Sequence, residues 1–412
     1  MRRRVVVTGL GVCTPLGLDS ATLFTNLLAG RSGIKRITRF PTEQLEVKIA
    51  GEITDFSPTQ KFDAKLLKRT DLFTQYALWA CAEAISDAGL DFNQIDTKRV
   101  GVIIGSGMGG IETWEREHQR FLTQGPRRVS PLLIPTMIPD IASGQVAILY
   151  GLKGPNFCTV SACASGAHAI GESFRLIAYG DADVIIAGGT EAPLTAYTIA
   201  AFTNMGALSK NQGEPEKVSR PFDLNRDGFV ISEGAAAVIL EEIGFAQRRG
   251  AKIYGELCGY GATADAYHIT APNPEGEGTY EVMRRAILDA RIEKEEIDYI
   301  NAHGTSTKLN DLTETKAIKN LFGEHSKKIV VNSTKSMLGH SLGAAGAIEF
   351  VVTCLSVYHQ KVHPTINLEN PDPELDLDYC AEGARALPIR AALSNSLGFG
   401  GHNTCLCVKR WE

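Results

Sequence analysis

Short apolar runs alternate with amphipathic stretches along most of the chain. The runs at 5–8, 100–104, 184–187, 236–240, 299–301, 329–331 and 405–408 have the length and make-up of strands. Helical spacing of apolar residues predicts helices over 66–90, 167–179, 278–290, 311–321 and 344–359. Strands that are apolar on both faces and alternate with helices predict an α/β fold of stacked layers. The stretch Arg248-Arg249-Gly250-Ala251 marks a divide, giving halves 1–250 and 251–412. The two halves share a plan. In the first, the apolar run 157–160 leads into Ser161-Ala162-Cys163-Ala164-Ser165-Gly166 and a helix. In the second, 329–331 leads through Lys335, Gly339-His340 and Gly343 to a helix. A further strand ending in glycines follows each helix, at Gly188-Gly189 and at Gly398-Phe399-Gly400-Gly401. This weak internal repeat places a site where loops of two similar halves meet.

Composition narrows the class. A chain of 412 residues exceeds one ordinary core. Its 44% hydrophobic and 22% charged residues are those of a globular protein. A net charge of −5 gives no general attraction to nucleic acid. The nine cysteines have no paired spacing and no C-x-x-C, which predicts free thiols in a reducing, cytoplasmic setting and no zinc site. The opening Met1-Arg2-Arg3-Arg4 and Val5-Val6-Val7 has a signal peptide's outline, but Thr8, Gly9 and Gly11 interrupt it and favour a first strand. No uncharged apolar run reaches ~18 residues, so no membrane span is expected.

Chemistry concentrates on glycine-rich loops. Cys163 stands between small residues at the mouth of a helix, where unpaired N–H groups and the helix dipole favour thiolate. Its segment alone fits equally a small buried cysteine that fills a helix–strand contact. His303, in Asn301-Ala302-His303-Gly304-Thr305-Ser306-Thr307, and His340, in Leu338-Gly339-His340-Ser341, sit on similar loops. With Cys163 they form a candidate Cys–His–His set, which Lys335, Asp311 and Glu314 join as charged neighbours. Gly105-Ser106-Gly107-Met108-Gly109-Gly110 matches a dinucleotide fingerprint, but the glutamates at 112, 115 and 117 would meet a pyrophosphate, and a lone match is weak.

These motifs together resemble the β-ketoacyl-acyl carrier protein synthases, in their elongating type II branch. Ala-Cys163-Ala-Ser-Gly, Asn301 to Thr307, Lys335 to His340 and Asn395-Ser396-Leu397-Gly398-Phe399-Gly400-Gly401 carry the resemblance, which spans nearly the whole chain. It implies the thiolase fold, two duplicated α/β halves in five αβαβα layers, as a homodimer without catalytic metal or organic cofactor. It implies that Cys163 carries the acyl chain, that the N–H groups of Cys163 and Phe399 form an oxyanion hole, and that His303 and His340 stabilise the enolate of malonyl thioester. Lys335 would fix His303, with Glu314 or Asp311 as its partner. Thr305 and Thr307 would hold the phosphopantetheine arm, and Met108 would line the acyl pocket. Asp265, Thr270 and Gly400 belong to mobile loops beside the substrate. Asn301, Glu349, Ser394 and Asn395 resemble a structural monovalent cation site. An acidic acyl carrier protein, in acyl and malonyl forms, would dock on Lys65, Lys68, Arg69, Arg127 and Arg128. Two departures stand out: Gly206, where members often have arginine, and Leu397, where many have phenylalanine. A specialised ketosynthase shares this chemistry; a non-catalytic chain-length factor would lack Cys163.

Overall fold

The computed structural model describes residues 2–411. Ten strands form one hydrogen-bonded order built from two sets of five. The first set is β1 (Val5–Cys13), β2 (Val100–Gly105), β3 (Asn156–Phe157), β4 (Val184–Glu191) and β5 (Gly234–Glu242). The second is β6 (Gly255–Ala264), β7 (Ile297–Asn301), β8 (Val330–Asn332), β9 (Ala391–Gly398) and β10 (His402–Lys409). Outward from the junction the order is β1-β5-β4-β2-β3 on one side and β6-β10-β9-β7-β8 on the other. Each set repeats the other's directions: β2 is parallel to β3 and β4, as β7 is to β8 and β9. The sets join through a short antiparallel contact in which Val5, Val6 and Val7 face Leu257, Glu256 and Gly255.

Helices complete the layers. Helices α1 (Leu72–Ala88) and α2 (Ile141–Tyr150) cover the outside of the first set. The central pair, α3 (Ser165–Tyr179) and α6 (Ala345–His359), pack against strands of both sets. On the far outside, α4 (Glu277–Ala290) covers β6 and β10, and α5 (Lys308–Phe322) packs on α4. The result is five layers, αβαβα. Side chains alternate across each sheet as strand geometry requires. In β5, Ala236, Val238 and Leu240 enter the central core with Phe174, Phe350 and Leu355. Ala235, Ala237 and Ile239 enter the outer core with Phe73 and Tyr76. A third core, around Val282, Ile300 and Leu393, mirrors it under α4 and α5.

Several expected boundaries move. The helix expected over 66–90 breaks into Ala64–Leu67 and α1, because buried Asp71 caps the second piece at Phe73 N and also binds Thr113. The apolar run 157–160 is strand only at Asn156–Phe157, and Val160 lies 60% exposed at the free edge beyond β3. One helical run, Leu342–His359, is apolar and long enough to cross a membrane by composition, yet 89% of it is buried, as the central layer demands.

Candidate active site

Parallel strands end at the same side of their sheets, so the loops after them converge. His303 lies two residues past the end of β7, Phe399 follows β9 directly, and Glu191 ends β4. Cys163 lies in a tight turn, Ala162–Ala164, immediately before α3 rather than in the helix itself. Its counterpart is the turn Leu342–Ala344 before α6. Both turns start with a non-glycine residue in left-handed backbone, Ala162 at φ 51° and Leu342 at φ 48°. Gly343 therefore stands in the second half where Cys163 stands in the first.

The residues predicted to carry chemistry meet at the base of a cavity of about 630 Å³. Its wall is largely apolar, with Phe202, Phe229, Leu342 and Phe399 around Cys163. Cys163 Sγ is 3.0 Å from His340 Nε2. The rings of His340 and His303 meet edge to face with centroids 5.3 Å apart. His340 is held by its own backbone, whose N–H donates to Val230 O (2.7 Å) and whose carbonyl accepts from Ser232 N (2.9 Å). Phe229 closes against its ring at 5.1 Å.

Lys335, buried below the histidines, uses all three ammonium protons. They go to the His303 carbonyl (2.7 Å), to His303 Nδ1 (3.3 Å) and to Glu349. A ring nitrogen that accepts from an ammonium carries no proton, so the His303 proton sits on Nε2. The partner of Lys335 is thus Glu349, on α6, and neither Glu314 nor Asp311. Glu314 instead accepts the N–H groups of His303 and Gly304, both at 2.9 Å, and so fixes the loop. Asp311 takes the Phe222 N–H at 3.0 Å and faces Arg226 at 3.6 Å. Burial, Lys335 and its neighbour push His303 well below the usual imidazole range; burial and Lys335 do the same to His340. Both are held in the neutral form. Burial pushes the Cys163 thiol up to about 12, against Lys335 and the Phe399 N–H. The expected depression by the helix dipole is outweighed, because the sulfur lies out of water among apolar side chains.

The remaining residues divide. Thr305 and Thr307 share a hydrogen bond of 2.9 Å and line the cavity, as do Met108, Asp265 and Thr270. Asp265 is occupied with the loops themselves: it accepts from Asn403 (2.7 Å) and Asn273 N (3.2 Å), and its N–H donates to Gly401 O (2.9 Å). Gly400 does not line the cavity. It is the exposed tip of the turn, at φ +84°, tied by its N–H to Ile269 O. Glu349 Oε2, Ser394 Oγ and Asn395 Oδ1 are buried without hydrogen-bond partners, whereas the Asn301 amide already bonds Thr334 and the Glu349 carbonyl. Lys65, Lys68, Arg69, Arg127 and Arg128 are exposed, and among the described residues none pairs with a carboxylate. Gly206 lies at the cavity wall with open space where a side chain would start.

The Gly105–Gly110 segment is no nucleotide loop: its N–H groups at Gly107 and Met108 are filled by the carboxylate of Glu191. Glu191 and Arg226 escaped the sequence reading. A charged residue ending the otherwise apolar run 184–187 and Gly188-Gly189 was the available signal for the first.

Comparison with known proteins agrees with this geometry. The family described as "Beta-ketoacyl synthase, N-terminal domain" matches residues 2–245, and "Beta-ketoacyl synthase, C-terminal domain" matches 254–369. A 3-oxoacyl-[acyl-carrier-protein] synthase 2 of Staphylococcus aureus is 52% identical over 410 residues, covering 100% of this chain and 99% of that one. One from Synechocystis is 50% identical over 411 residues, with 100% and 99% covered. Among solved structures, a type II polyketide ketosynthase bound to its acyl-carrier protein and a hexaketide superposes with a TM-score of 0.93 at 36% identity, both chains fully covered. A beta-ketoacyl synthase from Burkholderia phymatum does so with 0.93 at 34%, again over both full chains.

Proposed function

The chain belongs to the β-ketoacyl synthase family, and from that premise we infer the work of each residue in a 3-oxoacyl-[acyl-carrier-protein] synthase. The enzyme is an acyltransferase on the thiolase fold that joins a malonyl unit to an acyl chain and lengthens it by two carbons. The observation that carries the residue assignment is the thiol of Cys163 at 3.0 Å from a neutral imidazole, beside a second imidazole held by a lysine.

In this reading Cys163 Sγ attacks the acyl thioester carbonyl. Its proton passes by way of His340 Nε2 to the departing carrier thiolate, and the acyl chain stays on sulfur. The N–H groups of Cys163 and Phe399 face the developing oxyanion, and such donors contribute ~3–4 kcal/mol each to the transition state. Malonyl thioester then enters. Its C–C bond to the carboxylate breaks, carbon dioxide leaves, and the electron pair becomes an enolate whose oxygen accepts an Nε2–H bond from His303 and, once the His340 ring proton has moved from Nδ1 to Nε2, one from His340. The enolate carbon attacks the acyl carbonyl, and Cys163 leaves as thiolate to be reprotonated. Thr305 and Thr307, at the mouth, suit the amide groups of a pantetheine arm.

The acyl carrier protein is the partner. Lys65, Lys68, Arg69, Arg127 and Arg128, free of internal carboxylates, are offered as its docking patch. A homodimer is favoured by the edge of the sheet, where Ile148, Leu149, Phe157 and Val160 leave β3 and α2 apolar and exposed. The unpartnered oxygens of Glu349, Ser394 and Asn395 suit a hard monovalent cation, with Asn301 beside Ser394 in the neighbouring strand. Nine free thiols favour a reducing, cytoplasmic location.

The decisive experiment is intact-mass spectrometry after mixing with acyl carrier proteins of increasing chain length, followed by digestion. An acyl adduct on Cys163 supports the assignment, and an adduct on any other residue overturns it. Cys163→Gln should lose transfer yet keep malonyl decarboxylation; loss of both would show that the histidines do not work apart from the thiol.

A further inference from the structure

One buried carboxylate in the cavity wall has no part in this chemistry. Glu191 ends β4, is 0% exposed and lines the cavity, yet forms no salt bridge among the described residues. Its partners are four donors from two separate segments. Oε1 accepts Ser106 Oγ at 2.8 Å and Met108 N–H at 3.0 Å. Oε2 accepts Gly107 N–H at 2.7 Å and Gly343 N–H at 3.0 Å. Ser106 Oγ in turn accepts Gly109 N–H at 3.1 Å, so the whole turn after β2 hangs from this carboxylate. Both glycines are needed for the approach. A side chain at Gly107 would begin 2.8 Å from Oε2, and one at Gly343 would collide with it.

A carboxylate away from water is costly unless every lone pair is used. Here charge-assisted bonds to N–H groups use them, at the turn that opens α6 and so at the positive end of that helix. An apolar residue at 191 would leave those donors unpaired. The carboxylate therefore has a specific task, and the only cavity-lining side chain in the segment that it grips is Met108. Gly343, the other anchor, is the pseudo-symmetric counterpart of Cys163 and belongs to the turn that opens the central helix α6.

We propose that Glu191 is a positioning residue that sets acyl-chain length, by fixing the backbone of Met108 in the acyl cavity against the turn that opens α6. The proposal rests on the synthase reading above. With the clamp intact, Met108 holds one place, and chains that need it elsewhere are acylated slowly. With the clamp loosened, Met108 moves to suit each chain, and discrimination between lengths falls.

The test uses full-length protein, the wild type and the variants Glu191→Gln and Ser106→Ala, with acyl carrier proteins from butyryl to palmitoyl. KM and kcat for acylation of Cys163 are read by intact mass for each length. A carboxamide turns at least one donor against a donor, so Glu191→Gln should narrow the spread of kcat/KM across the series by about tenfold, carried by KM. Ser106→Ala removes one donor and should narrow it by about threefold in the same direction. A merely structural role would lower every length alike and leave the spread intact. If Glu191→Gln does not fold, Ser106→Ala decides. An unchanged spread in the folded variants overturns the proposal. Failure of the wild type to be acylated on Cys163 would overturn the synthase assignment instead, so the two failures are separable.

Discussion

A thiol pushed up to about 12 is not a resting thiolate. In the proposed synthase mechanism the thiolate is therefore made as it attacks, with His340 taking the proton along the 3.0 Å line between Sγ and Nε2. Alkylation of Cys163 by iodoacetamide should rise with pH through and beyond pH ~9; a plateau near neutrality would reveal a stable thiolate–imidazolium pair instead. The histidines have a signature of their own. Their depressed values keep both neutral well below the ordinary imidazole value of ~6.5, so malonyl decarboxylation should stay flat as pH falls through that point. Stability behaves differently. Between the depressed folded values and ~6.5 the unfolded chain binds more protons, so unfolding free energy falls as pH falls across that window. Denaturant melts at stepped pH would read it. His303→Ala should lower decarboxylation by about a hundredfold or more, since it removes one of two donors from the enolate oxygen. Lys335→Ala leaves Glu349 buried and alone, which costs about 3–5 kcal/mol and should appear as a drop in thermal midpoint besides the loss of activity.

At the scale of elements, the first strands of the two sets carry the same device. Gly9 and Gly11 in β1 lie under α1, where a Cβ would run into the Ala84 and Ala80 carbonyls. Gly259 and Gly261 in β6 lie under α4 in the same way, against Ala286 and Val282. Gly11→Ala and Gly261→Ala should each destabilise by about 1–3 kcal/mol, measured by thermal melts, because backbone rather than a side-chain tip must give way. That pair of glycine alternations was present in the sequence and would have strengthened the reading of an internal repeat. Strands and helices were largely legible because their apolar periods are long and are satisfied locally. The break before α1 was not, since it depends on Asp71 finding Thr113 forty residues away in sequence. The partner of Lys335 was hidden for the same reason. Asp311 and Glu314 had a suitable spacing, but which carboxylate faces an ammonium is set by how α5 and α6 dock. The left-handed turns at Ala162 and Leu342 were hidden too, because neither position holds the glycine that usually announces such backbone.

At the scale of the molecule, the proposed dimer rests on the exposed apolar edge at β3. A charge placed in its apolar patch, as in Val160→Asp or Ile148→Asp, should halve the mass seen by light scattering in a dimeric protein. An unchanged mass would remove the dimer assignment from this edge. The cluster of unpartnered oxygens is open to a separate check. Replacing potassium or sodium by choline at constant ionic strength should lower the thermal midpoint, since a bound ion stabilises by mass action. The two sets of strands share their central helices, so neither set encloses α3 or α6 alone. This has a consequence for what duplication allows. Two separate identical chains would have to place the same residue in both tight turns, a thiol in each or a glycine in each. Fused in one chain, the turns are free to diverge. In the proposed mechanism one offers the Cys163 N–H to a substrate that comes and goes; in the other the Gly343 N–H is filled by the Glu191 carboxylate. On that proposal, one side of the pseudo-twofold reacts while its twin serves as a fixed bearing.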